Sequence, residues 1–202
     1  LLAQLDLSPH LGRTDFFAVL PRIYRTQDEP ILRALLEDAA KKGVTGVSIG
    51  NLGHLPLLRD SGLTVSGDFG LNVFNSRALD YLRRKNLAAA CLSFELRFPQ
   101  MRDMQKVIPA EAIVYGRLPL MITENCIVYN HAGQQVCGDG LRLVDRKGAR
   151  FPVVKAWGCR NEILNAKTLF LADKAADYAR LGLWGARLMF TTESPEDCVR
   201  IL

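Results

Sequence analysis

The sequence predicts an α/β fold, a partial barrel of about six parallel strands. Two observations carry that expectation. Between Phe16 and Met121, short and nearly continuous apolar runs alternate with amphipathic stretches, the pattern of parallel strands joined by helices. After a long break the alternation returns with a helix, a strand and a capped helix near Leu202, so the count stops two strands short of a closed eight-stranded barrel. At 202 residues and 49% hydrophobic content there is enough apolar material for one sizeable core, and residues 1–202 are read as one domain. The chain begins without methionine, which suggests a fragment of a longer barrel protein.

The first five strands are placed at residues 17–20, 46–49, 63–66, 89–93 and 112–115, each short and apolar. The helix after the first strand has Asp28 as its expected cap, Pro30 in its first turn, and Ile31, Leu32, Leu35, Leu36 and Ala39 on one face. Gly43 ends it. A second helix is expected over 52–59, limited by Pro56. Asn75 or Ser76 caps a third, and a fourth starts near Pro99. Residues 123–168 lose the period and form a long, irregular, cysteine-bearing insertion before the last strand and helix. Regularity resumes with a helix over 173–181, a strand over 186–191, and a helix opened by Ser194 and Pro195.

Composition narrows the function classes. No run approaches the roughly 20 apolar residues of a membrane span, and residues 1–10 carry no basic leader, so a cytoplasmic protein is expected. The formal charge of +5 is scattered, with doublets at Lys41-Lys42 and Arg83-Arg84 that suit the carboxyl ends of helices. Five cysteines is an odd number, which argues against a disulfide framework.

In a parallel barrel the active site is built from loops at the carboxyl ends of the strands. Arg22 follows the first strand, Asn51 the second, Asp68 with Asn72 and Asn75 the third, Glu95 the fourth, Arg117 the fifth and Glu193 the last. Carboxylates and guanidinium forks at one rim would make a charged pocket for an anionic or carboxylate-bearing ligand; Asn75 and Glu193 are the residues most suited to capping instead. Gly50-Asn51-Leu52-Gly53 and Ser66-Gly67-Asp68-Phe69-Gly70 match neither a P-loop nor a dinucleotide fingerprint, and read as tight strand-to-helix turns.

A second candidate site is Cys126, Cys137 and Cys159, spaced by eleven and twenty-two residues. The spacing fits no zinc-finger pattern, yet thiolates from separate loops suit zinc or an iron-sulfur cluster. A fourth ligand would be His131 or a cysteine outside this chain; the alternative is a set of thiols without metal. Nucleophilic catalysis has no visible machinery: the histidines are His10, His54 and His131, and neither a nucleophile elbow nor a zincin helix is present.

The runs Gly67-Asp68-Phe69-Gly70-Leu71-Asn72-Val73-Phe74-Asn75-Ser76, Leu92-Ser93-Phe94-Glu95-Leu96 and Tyr115-Gly116-Arg117-Leu118-Pro119-Leu120-Met121 resemble the peptidase U32 family. So do Cys126, Asp145-Arg146-Lys147-Gly148, Phe151-Pro152-Val153, Cys159-Arg160-Asn161-Glu162-Ile163-Leu164-Asn165 and Phe190-Thr191-Thr192-Glu193-Ser194. The resemblance runs in order through almost all of the chain after Phe16. It implies a TIM-type barrel whose first strands lie upstream of Leu1, completed by those strands or by a partner chain, and a nominal collagenase-like peptidase acting on a peptide. Several members look like iron-sulfur proteins that hydroxylate RNA or quinone precursors, with four cysteines around a 4Fe-4S cluster. Cys126, Cys137 and Cys159 fall where three of those stand, and Pro119, which cannot ligate, falls at the fourth. The cofactor implied is therefore a 4Fe-4S cluster, with zinc or none as alternatives. The function expected is a U32 peptidase domain; an iron-sulfur hydroxylase acting on RNA or a small precursor, and a non-catalytic binding domain, are the alternatives.

Overall fold

A computed structural model describes residues 6–132 and 140–202. The chain divides into two compact units, Leu1–Ala112 with Asp177–Gly185, and Ile113–Ala176 with Ala186–Leu202.

The first unit is a run of parallel strands separated by helices. Its strands are β1 (Phe17–Val19), β2 (Gly46–Ile49), β3 (Thr64–Gly67), β4 (Ala89–Cys91) and the start of β5 (Ala110–Gly116). They pair in sequence order, each parallel to the next. The helices between them are α1 (Glu29–Lys41), α2 (Leu55–Leu58), α3 (Ser76–Arg84) and α4 (Phe98–Asp103). β2 is buried at every position, as a strand covered on both faces must be. On α1 the side chains of Leu32, Leu36 and Ala39 are buried, a spacing that puts all three on one stripe of the helix. Val47, Ile49, Leu79, Ala90, Cys91 and Leu92 are fully enclosed at 0% exposure.

Helix ends follow local chemistry. Asn75 caps α3, its Oδ1 accepting from the Ala78 amide at 2.9 Å. Arg83 and Arg84 occupy the last turn and both pair with Asp80, while Lys41 closes α1. Asp28 does not cap α1: its carboxylate accepts from the Arg25 amide at 2.8 Å and so closes the preceding 3-10 turn, Thr26–Asp28. The helix expected over 52–59 splits into a 3-10 turn, Leu52–His54, and the four-residue α2, because Pro56 has no N–H to extend a longer ladder.

The second unit begins inside β5 and holds β6 (Pro119–Thr123), α5 (Ile127–Ala132), β7 (Arg142–Val144), β8 (Arg150–Ala156), β9 (Arg160–Leu164) and β10 (Leu169–Phe170). α6 (Ala175–Tyr178) and β11 (Gly185–Met189) carry the chain out of this unit and back into it, and α7 (Pro195–Ile201) ends it. β6, β9, β8 and β7 form an antiparallel sheet in that order. β10 runs antiparallel to β5.

The fold is thus mixed α/β with a mostly parallel principal sheet, consistent with part of a barrel. Residues 123–168 are not irregular throughout, as their composition suggested. They hold β7, β8 and β9; β7 is exposed throughout and β8 is mostly exposed or half-buried, so neither shows the continuous apolar run of a strand covered on both faces.

Candidate functional site

In the first unit, the carboxyl ends of β1, β2 and β3 bring Arg22, Asn51 and Asp68 together. The ladder continues one step past β3, the Asp68 amide donating to the Ile49 carbonyl at 2.8 Å. That places Asp68, at 3% exposure, inside the turn, where its Oδ1 accepts from the Phe69 amide at 2.7 Å. The Phe69 ring in turn lies under Arg22, whose guanidinium carbon is 5.0 Å from the ring centroid, a cation–π contact. Asn51 closes the other side, with Nδ2 donating to the Arg22 carbonyl at 3.1 Å and Oδ1 accepting from the Gly53 amide at 2.8 Å.

Two glycines make this approach possible. A Cβ on Gly70 would stand 2.8 Å from the Gly50 carbonyl oxygen and 2.9 Å from Cδ of Arg22, and one on Gly50 would stand 2.7 Å from Cγ of Arg22. Both turns therefore pack backbone against backbone, with the arginine stem filling the remaining space.

Asn72 and Glu95 are exposed. Asn72 ends the 3-10 turn Phe69–Leu71 in the left-handed region, at φ 48°, which asparagine tolerates better than most residues. Glu95 follows β4, and its amide donates to Ser93 Oγ at 3.4 Å.

The same corner contains two residues that the sequence did not single out. His54 is completely buried and stacks on Tyr24, ring centroids 4.5 Å apart and planes 20° from parallel, while the Tyr24 hydroxyl donates to the Gly53 carbonyl. Neither His54 ring nitrogen has a hydrogen-bond partner of good geometry, and nor does Ser48 Oγ. Burial pulls the imidazole below its usual pKa, opposed in part by the Asn51 carbonyl. The one available signal was position: a histidine in the turn directly after β2.

In the second unit, Arg117 donates through Nη1 to the carbonyls of Asn165 and Ala166, at 3.0 and 2.6 Å. Glu193 accepts from the Thr191 and Thr192 amides at 2.7 and 2.9 Å and from the Tyr115 hydroxyl at 3.1 Å. Burial alone would raise the Glu193 pKa, but these donors reverse the sign and the carboxyl titrates below its usual range. Arg117 and Glu193 line an open cleft of about 1070 Å³ together with Arg142, Arg150, Lys155 and Lys167.

Cys126 and Cys159 lie at the same end of the β6–β9 pair. Thr123 is opposite Asn161 in the register, the Asn161 side chain accepts from the Ile127 amide at 2.7 Å, and Arg160 reaches Glu124 at 3.0 Å. Cys126 is buried and Cys159 exposed. The Tyr129 amide donates to Cys126 Sγ at 3.4 Å, and Cys159 holds a left-handed φ of 61°, a strained conformation for a residue with a side chain. Cys137 and the side chain of His131 lie outside the described residues. Among the described residues no group of three or more His, Cys, Asp or Glu side chains is disposed to hold a metal ion. Cys91 stands in β4 and is buried, and Cys198 stands in α7 and is half-buried. No helix among the described residues is long and apolar enough to cross a membrane.

Parallel strands with glycine-lined turns and polar side chains at their carboxyl ends make a mixed α/β chain consistent with part of a barrel. The chain belongs to Peptidase family U32, whose family model matches residues 8–140. A solved structure of the U32 peptidase Mk0906 is similar at 16% identity and a TM-score of 0.43, over 55% of this chain and 50% of that one; the chain thus spans about half of that protein's length. No curated protein matches the chain.

Proposed function

We propose that this U32 domain is part of a collagenase-like peptidase of TIM-barrel type that holds a peptide at the carboxyl ends of β1 to β4. The observation behind this reading is the cluster at the first three strand ends: Arg22 over Phe69, Asp68 buried in the turn beneath, and Asn51 tying the β1 and β2 loops together. An arginine fork and a carboxylate side by side suit the two charged ends, or the polar backbone, of an extended peptide. Asn72 and Glu95 are assigned to the outer part of the same site.

The test is cleavage of gelatin and of a proline- and glycine-rich peptide by the complete protein, with Asp68→Asn and Glu95→Gln variants. Loss of cleavage in either variant, with binding of the peptide weakened in Arg22→Gln, supports the reading. Cleavage unchanged in both acidic variants removes the pocket.

A second reading, a metal-dependent enzyme with Cys126, Cys137 and Cys159 as ligands, is favoured by the placement of Cys126 and Cys159 at one end of the β6–β9 pair, with an amide directed at Cys126 sulfur. Backbone donors of this kind stabilise ligating thiolates. Anaerobic purification with metal analysis and an absorption spectrum tests it: bound iron or zinc that falls away in Cys126→Ser and Cys159→Ser is the expected result, and metal-free, colourless protein after anaerobic reconstitution overturns it.

A further inference from the structure

The second unit has a feature that the strand-end site does not use, an open cationic sheet edge. Among the described residues β7 is the last strand of the antiparallel sheet, and all three of its residues are exposed. Its pairing with β8 sets Arg142 opposite Pro152, Leu143 opposite Phe151 and Val144 opposite Arg150. Just outside the strand, the Val153 amide donates to the Leu141 carbonyl at 2.9 Å and the Asp145 amide to the Ala149 carbonyl at 3.1 Å. Hydrogen-bonded and non-bonded pairs alternate along an antiparallel ladder, so the backbone groups of Leu141, Leu143 and Asp145 face β8. Those of Arg142 and Val144 point away from it, toward the open edge.

Of the three side chains on β7, Arg142 is basic and Leu143 and Val144 are exposed and apolar; Arg150 on β8 adds a second cation beside the edge. The register puts Arg142 and Arg150 on one face as diagonal neighbours, a separation of roughly 7–8 Å. Both line the cleft, with Lys155 and Lys167. Among the described residues these four make no ion pair. The carboxylates on the lining are already engaged: Glu193 with two amides and the Tyr115 hydroxyl, Asp197 with Arg200 at 2.7 Å. A sheet edge with spare donors and acceptors accepts an extended chain as a further strand, and here the cations repel a basic chain and attract an acidic one. Nucleobases find little to stack on, because Tyr115, the single aromatic side chain among the described lining residues, is buried with its hydroxyl committed.

We propose that the open edge of β7 docks an extended acidic peptide segment, which adds as a strand and sets its carboxylates against Arg142 and Arg150. The proposal does not rest on the strand-end cluster of the first unit and stands whether or not that cluster cleaves peptides.

Fluorescence anisotropy with a labelled peptide of alternating glutamate and threonine tests it on the complete protein, since alternation puts all the carboxylates on one face of the added strand. Saturable binding that weakens with salt is expected. The double variant Arg142→Ser, Arg150→Ser should bind about tenfold or more weakly, with an unchanged far-UV spectrum. The same peptide N-methylated at alternate positions, in either phase, should lose binding in the phase that blocks the edge hydrogen bonds. No binding, equal binding by the double variant, or equal binding by both N-methylated forms overturns the proposal. Tighter binding of a single-stranded oligothymidylate of matched charge also overturns it, in favour of a nucleic-acid surface.

Discussion

In the first unit the polar residues at the strand ends are absorbed into the turns: Asn51, Asp68 and Asn75 each accept an amide N–H within three residues, and the loops close on glycine contacts. In the second unit Arg142 on β7, Arg150 and Lys155 on β8 and Lys167 in the loop after β9 are exposed. The difference follows from topology. A parallel sheet covered by helices must satisfy every polar group near it internally, whereas an antiparallel sheet can leave one face to water. The comparison teaches that the first unit offers a preformed, rigid arrangement and the second an adaptable, salt-sensitive surface.

Core truncation gives the largest expected effect and tests the packing half of this contrast. Leu79 at 0% and Leu164 at 1% exposure are equally enclosed. Even so, Leu79→Ala should cost roughly 4 kcal/mol and Leu164→Ala nearer 2–3, since the more open sheet collapses more readily onto a cavity. Denaturant melts that give the same loss for both would end the distinction.

Next in size is Gly70→Ala. Its new Cβ meets backbone at Gly50 rather than a movable side chain, and the strain should lower stability by about 1–3 kcal/mol while displacing Arg22. A neutral outcome in the same melts would mean that the two turns are not rigidly seated.

His54 makes the contrast pH-dependent. Its folded pKa lies below the ordinary value of 6.5, so the unfolded chain takes up the proton first on acidification. Stability is therefore complete above that ordinary value and is lost as the pH falls from there through the folded pKa. His54→Phe, which keeps the ring stack on Tyr24, should flatten the melting temperature against pH in that window. An unchanged slope would place the acid sensitivity elsewhere.

The smallest effect expected is at a single cap: Asn75→Ala should cost about 1 kcal/mol, measured by thermal or denaturant unfolding, with Asn75→Asp restoring most of it. If Asn75→Ala is silent, the turn is held by packing and not by its side-chain acceptor.

Much of the first unit was legible before any coordinates. β2, β4 and β5 coincide with apolar runs because a strand buried on both faces leaves little room for polar side chains, and α1 and α3 stop near their expected ends because Gly43 and the basic doublets mark them. β7, β8 and β9 were hidden for the converse reason: residues 150–156 mix arginine, proline and lysine with valine, and a half-exposed strand tolerates that mixture. The burial of His54 is not visible in a sequence, since it depends on what Tyr24 and the β2 turn place around the ring. Arg117 was read as a rim residue by its position alone, and its bonds to Asn165 and Ala166 depend on a chain reversal nearly fifty residues later.

By itself the sequence determined the order of strands and helices in the first unit, the polar residue that follows each of those strands, and the family, because these depend on local composition and on runs of neighbouring residues. The tertiary structure decided which of those residues meet. Arg22, Asn51 and Asp68 converge only because β1, β2 and β3 are parallel and in register, and the open edge beside Arg142 exists only because β7 is the last strand of its sheet. Contacts between distant segments are set by the pairing of backbones, which no stretch of sequence read alone contains.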